Sequence, residues 1–221
     1  MTRPASLLLL GLAVLGAAWF SPLTALVPGA FARHMTVHMA VVAVAAPLIA
    51  LGVAGSRFDP VRAAPGLFPP VPMSVIELIV VWVWHAPVLH HIARHTLLGL
   101  VLEQGSFLLS GLVVWLSAFG GAREARDDRV GAGVIALLLT SMHMTLLGAL
   151  LALPPRALYP HHHGPGALDA LADQHLGGAI MLLVGGASYL LGGLWLTAQL
   201  LRRWRRTPSH AAETQQGGTR G

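Results

Sequence analysis

Cysteine and lysine are both missing from this 221-residue chain. Without cysteine there is no disulfide framework, no thiolate metal site and no cysteine nucleophile, and copper delivery through a Cys-x-x-Cys motif is excluded. Charge is scarce: 10% of residues are charged, where a soluble domain carries about 25%. Strand-period alternation is missing, which argues against a transmembrane barrel. The chain has no His-Glu-x-x-His motif and no evident Ser-His-Asp set, so nothing points to a hydrolytic substrate. The net charge of +5 comes from arginine alone. Four arginines, Arg202, Arg203, Arg205 and Arg206, follow directly on an apolar segment. That is the pattern of a cytoplasmic membrane anchor, and it leaves no nucleic-acid patch.

What is present is apolar. Hydrophobic residues make up 55% of the chain and the mean hydropathy is +0.67, so the lipid bilayer is the expected solvent. A spanning helix needs about 20 mainly apolar residues. Six such segments are expected, near 4–20, 34–54, 73–91, 97–119, 130–152 and 178–201. Turn-formers separate them, among them Pro28-Gly29, Pro69-Pro70, Gly120-Gly121 and Pro154-Pro155. The expectation is an all-α integral membrane protein, a bundle of about six transmembrane helices forming one polytopic domain over 1–206. Residues 207–221 are polar and glycine-rich and read as a disordered tail.

Arginine sets the orientation. Arg57 and Arg62 share one loop, and Arg123, Arg126 and Arg129 another. The alternate loops hold Arg33, Arg94 and Arg156, one each. Both termini are therefore expected to be cytoplasmic. The 21–33, 92–96 and 153–177 connections should face outward. Arg3, the first apolar run and Ala30-Phe31-Ala32 loosely resemble a signal peptide. The run ends well before that candidate cleavage site, which favours an uncleaved first helix.

The apolar background makes twelve histidines conspicuous. Ionisable groups at membrane depth are costly and usually functional, and imidazole is the commonest protein metal ligand. With about 1.5 Å of rise per residue, His34, His38, His85, Glu103 and His143 fall at similar depths on four different helices. His34 and His38, four apart, share a helix face. Met35 and Met39 repeat that spacing one position on, and thioether with imidazole suits copper, especially the cuprous ion. The same methionines read equally as packing residues. In Trp84-His85-Ala86-Pro87 the proline should kink the helix, free carbonyls and aim His85 inward. Glu103 is placed to ligate a metal or to orient a ligand imidazole, or else to bond between helices. Glu77, nearer a helix end, is expected to reach the interface and is left out of the site. His161, His162 and His163 read as a metal-collecting or solvated loop. Asp173 and His175 precede the last helix as a cap or as ligands, and Gly177-Gly178 suggests close helix approach.

Taken in order, these motifs resemble the polytopic CtaG-type cytochrome c oxidase assembly factors, known from Bacillus-like bacteria. The resemblance rests on His34-Met35-x-x-His38 with Ala46-Pro47-Leu48, and on Trp84-His85-x-Pro87. It continues through Glu103 ahead of Phe107, Gly111 and Trp115, and Asp173-Gln174-x-x-Gly177-Gly178. It covers about 34–190. Gln104 and Leu182 stand where the family commonly has histidine and tryptophan, which marks a divergent member. The resemblance implies a non-enzymatic protein of the bacterial inner (plasma) membrane, multi-pass, acting with cytochrome c oxidase subunits in maturation of the haem-copper oxidase. Copper handling is the usual inference, with His34, His38, His85 and His143 as nitrogen ligands, Met35 or Met39 as sulfur, and Glu103, Asp173 and His175 around them. Two alternatives remain open at this point: a bis-histidine haem b electron-transfer protein, and a membrane metal-dependent hydrolase.

Overall fold

A computed structural model of the chain describes residues 3–22, 26–159 and 168–205. No strand occurs among them. Helix α1 covers Arg3–Phe20. Helix α2 covers Ala30–Val53. Helices α3 (Pro70–Trp84) and α4 (Pro87–His95) form a pair bent by 74°. Helix α5 is Leu97–Phe119 and α6 is Arg123–Ala152. The last helix, α7, spans 170–204, from Ala170–Ile180 through a short wide turn into Gly186–Trp204.

Among the described residues, four helical stretches are long and apolar enough to cross a membrane: Ala30–Val53, Leu97–Phe119, Arg129–Ala152 and Ala170–Arg202. The bent pair, taken as one span, makes a fifth, and Pro4–Phe20 is apolar but shorter. This is the helical, multi-pass architecture the hydropathy implied, with four or five spans meeting the length requirement rather than six. The apolar side chains left on the outside, such as Leu9, Ile79, Leu102, Leu109, Leu146 and Leu191, suit a hydrocarbon surround. The polar 207–221 tail lies outside the described residues.

Prolines explain the irregularities. Pro60, Pro70 and Pro87 each stand in a helical first turn, where a missing N–H is no loss. Pro87 also breaks α3 from α4. It cannot donate to the Val83 carbonyl four residues back, and that carbonyl takes the Ala86 N–H at 3.2 Å instead. Within α2, Pro47 removes another backbone donor, and the helix widens into a π turn over Ala40–Ala45. The carbonyls of Val42 and Ala43, five and four residues before the proline, lose their backbone partner. Tyr189 Oη reaches Val42 O at 3.2 Å and Ser188 Oγ donates to Ala43 O at 2.6 Å, both from α7. A second π turn, Met181–Gly185 in α7, faces the first, with Gly185 against Met39.

The two ends of the bundle are tied by carboxylates. At the end carrying His34, Asp173 of α7 accepts the N–H groups of Phe31 (2.9 Å) and Ala32 (2.8 Å). It thereby caps α2, whose own N-cap, Gly29, has no side chain to do so. Gly29 has φ 87°, and a Cβ there would lie 2.1 Å from Asp173 Oδ1. At the opposite end Asp59 accepts from the N–H groups of Gly55 (2.7 Å), Val61 (2.9 Å) and Gly121 (2.8 Å). This pins the 54–69 connection to the α5–α6 turn. Arg129 adds bonds to the carbonyls of Pro65 and Phe68. Between the ends, α6 and α7 meet closely. A Cβ on Gly178 would stand 2.5 Å from Ala152 N, and one on Gly148 2.6 Å from Leu182 N. The close approach read from Gly177-Gly178 is present, as expected for small residues at a helix seam.

Candidate metal centre

Helix α2 presents His34 and His38 on one face. Both are buried, and their rings lie nearly parallel with centroids 6.2 Å apart. The bend after α3 brings in His85, 5.3 Å from His38 and 5.9 Å from His34. Helix α4 folds across this end and turns His90 inward, edge-on to His34 at 4.8 Å. Helix α5 supplies Phe107, whose ring lies 3.9 Å from that of His38, and Glu103, whose Oε2 is 3.7 Å from His34 Nδ1. Phe31 and Tyr159, stacked at 4.4 Å, close the top against His90. A ligand nitrogen each from His34 and His90 and an oxygen of Glu103 lie within 4.8 Å of one another.

The donor atoms are buried and short of partners. Both ring nitrogens of His34 and of His38, Nε2 of His85 and Oε1 of Glu103 have no hydrogen-bond partner among the described residues. Each such group costs about 1–3 kcal/mol when left unpaired. The imidazoles of His34, His38 and His85, gathered in one apolar end, thus offer nitrogens open to a further partner. His85 is already oriented for it. Its Nδ1 sits 2.6 Å from the Val81 carbonyl and donates there, which leaves the Nε2 lone pair free as an acceptor. The His85 carbonyl, freed by the break at Pro87, accepts the Tyr159 hydroxyl at 2.5 Å. Burial pushes the Tyr159 phenol up, so it keeps the proton it donates.

Glu103 is held in a chain of partners. The Arg94 guanidinium donates to its Oε2, and Gln104 Nε2 donates to the same oxygen at 3.1 Å. Gln104 Oε1 accepts the Trp19 indole N–H at 3.1 Å, which ties α1 to the site. Arg94 and Glu103 thus form a pair with no net charge. Beside them a cleft of about 630 Å³ opens between α1, α2 and α5, with Arg33, Arg94, Trp19, Val37 and Val101 in its walls and His34 as its only imidazole.

Of the residues expected in the site, His34, His38, His85 and Glu103 come together. Met35 and Met39 are buried on the neighbouring face of α2, against Gly177 and Gly185 of α7, and away from the imidazoles. His143 is buried on α6 with neither ring nitrogen paired, and it makes no ring contact with the cluster among the described residues. Asp173 uses both oxygens on the start of α2. His175 lies half-buried on the Pro154 carbonyl at 2.9 Å. His161, His162 and His163 fall outside the described residues. Of the histidines in α4, His91 and His95 are exposed, whereas His90 is buried and joins the site.

Two buried groups stand differently from what the sequence suggests. His90 is one: in sequence it lies with His91 and His95 in a short outer connection, where histidines read equally as ligands at the mouth or as exposed side chains. The signal that marks it is the position three after Pro87, on the face shared with buried Ala93. Glu77 is the other. It does not reach an interface but is fully buried, with Tyr189 Oη in short contact with its Oε1 and with Oε2 unpaired.

The fold and the cluster together define a multi-pass helical membrane protein with a buried imidazole pocket at one end of its bundle. The family model described as "Cytochrome c oxidase caa3 assembly factor (Caa3_CtaG)" matches residues 2–203. The chain belongs to that family, and so to the cytochrome c oxidase assembly factors. No curated protein and no solved structure matches it significantly.

Proposed function

We propose that this assembly factor binds copper in the His34–His38–His85–His90 pocket and hands it to a copper centre of the oxidase at the outer face of the plasma membrane. The observation that carries the proposal is the set of buried imidazole nitrogens without partners. Neutral imidazole suits copper as it suits zinc, iron and nickel, and membership of an oxidase assembly family is what favours copper among them. His34 is central, since it neighbours His38 and His85 on one side and His90 and Glu103 on the other. An ion entering past His90 would meet His34 and settle towards His38 and His85. A weaker mouth and a deeper imidazole set make binding selective yet reversible, as transfer requires.

The haem reading has less support. Among the described residues the 630 Å³ cleft has one imidazole in its lining, and the His38 ring is packed on Phe107, so a pair of axial nitrogens across that space has no support. A hydrolytic reading needs a free carboxylate to activate water, and Glu103 is already paired with Arg94.

The test is copper(I) titration of the detergent-purified chain against a chromogenic competitor, with metal analysis and an optical spectrum. One tightly held copper and no Soret band is expected. The His38→Ala and His85→Ala variants should each bind at least tenfold more weakly. Unchanged affinity in both would remove the pocket from copper handling, and a strong Soret band would replace it with haem.

A further inference from the structure

Glu77 lies below the imidazole pocket and has no part in it. Val42 is four residues past His38 on α2, about 6 Å deeper along the helix. Tyr189 Oη lies within reach of both the Val42 carbonyl and Glu77 Oε1, which places the carboxyl near the α2 turn about 6 Å below His38. Four helices surround it. Helix α7 gives Tyr189, α6 gives the Thr140 side chain, α2 gives the Val42 carbonyl and α5 gives Trp115, stacked on Tyr189 at 5.0 Å. The titratable groups carried by the same helices are His38, one turn from Val42 on α2, and His143, three residues beyond Thr140 on α6. No arginine or histidine pairs with Glu77 among the described residues; the two ion pairs there both involve Glu103.

A phenol has one proton and two lone pairs. With Glu77 protonated, the carboxyl O–H donates to Tyr189 Oη and the phenol donates to Val42 O. With Glu77 ionised, the phenol turns its proton onto the carboxylate. The Tyr189–Glu77 bond survives in both states without moving a helix, and ionisation gives up only the bond to Val42 O. The pocket above has the complementary need. Its imidazoles are neutral as ligands and Glu103 is neutralised by Arg94, so a bound cation brings an uncompensated buried charge. Glu77 is a buried carboxyl next to the pocket that has no cationic partner among the described residues.

We propose that Glu77 is the exchangeable counter-charge of the pocket: it holds a proton when the pocket is empty and releases it to solvent when a monovalent cation binds. The exchange balances as Cu⁺ plus Glu–COOH giving bound Cu⁺, Glu–COO⁻ and one H⁺, with no change of oxidation state. The protein is thereby a cation–proton exchanger, and a rise in proton concentration on the receiving side would favour release of the metal. This rests on the copper reading above.

The test uses the full chain in nanodiscs with copper(I) alone, under reducing anaerobic conditions. Proton release is followed in weak buffer, and affinity is measured from pH 6.5 to 8.5. Wild type should release a proton as copper binds and bind tighter as the pH rises, by no more in total than the factor that separates it from Glu77→Gln. Glu77→Gln should release none, lose the pH dependence, and bind roughly 10–100-fold more weakly at the alkaline end, from a unit charge at roughly 6–10 Å in an effective dielectric of about 20. A second measurement needs no variant. The infrared difference spectrum of wild type should show loss of a protonated-carboxyl C=O band on adding copper. Copper binding with no proton released, with an unchanged carboxyl band, or with equal release in Glu77→Gln overturns the exchange while leaving the copper site standing. No copper bound by wild type overturns both.

Discussion

Replacing Asp173 with alanine should unfold the histidine end of the bundle without removing a ligand. The carboxylate accepts two backbone N–H groups, at 2.9 and 2.8 Å, from Phe31 and Ala32. Phe31 and Ala32 are 1% and 0% exposed, so water cannot take over the bonds. Hydrogen bonds to a charged group contribute about 1.5–3 kcal/mol each, and orphaned buried donors carry the full desolvation cost. A loss of about 3–5 kcal/mol follows, after allowing for non-additivity. Asp173→Asn keeps one acceptor and should recover roughly half of that. Asp169 is the internal control. It caps its own helix by accepting from Ala172 N at 2.8 Å in an exposed position, and its replacement should cost about 1 kcal/mol. Unfolding would be followed by circular dichroism in mixed micelles, and copper affinity on the same samples. Since α2 begins at Ala30, only four residues before His34, the Asp173→Ala protein should bind copper less tightly in proportion to its disorder. Full stability combined with lost copper would refute the capping argument and make Asp173 a ligand.

Four further outcomes are expected. Met35→Leu with Met39→Leu should change copper affinity less than twofold, because both side chains face α7 glycines; the volume-conserving change should cost under about 1.5 kcal/mol per site, as titration and melting would check. Tyr159→Phe leaves the His85 carbonyl without its donor and should weaken copper binding up to about tenfold, equivalent to one buried hydrogen bond, measured by competition titration. Gly178→Val places side-chain carbon against the Ala152 backbone and should cost at least about 3 kcal/mol or abolish folding, read as loss of monodisperse protein on gel filtration. Ser188→Ala strips the Ala43 carbonyl of its partner and should destabilise by about 1–3 kcal/mol with copper affinity kept, separating helix seam from site.

Much of this was legible because lipid imposes long apolar periods. The segments expected near 97–119 and 130–152 match α5 and the apolar part of α6 to within a residue or so. Trp84-His85-Ala86-Pro87 announced its break, since a proline cannot complete the turn before it. His34, His38, His85 and Glu103 were found by equal depth, a one-dimensional measure. Depth does not give azimuth, and azimuth is what separates Met35 and Met39 from their neighbours and leaves His143 outside the cluster. His90 was obscured because the 74° bend folds a segment that reads as a surface connection back over the pocket. Glu77 was misjudged because its partner is 112 residues away on another helix. Asp173 was read as a cap or a ligand. It is a cap, but of a helix more than 140 residues upstream, a pairing that no local pattern encodes.

The interruption at Pro87 divides the candidate donors between two kinds of support. His34, His38, His85 and Glu103 stand on the long helices of the bundle, whereas His90 sits on the nine-residue helix α4, which meets α3 at the 74° bend, runs into α5 at Thr96 and is clasped by Arg94 on Glu103. A crossbar held at both ends roofs the other three histidines, so uncovering them requires Arg94 to let go of Glu103.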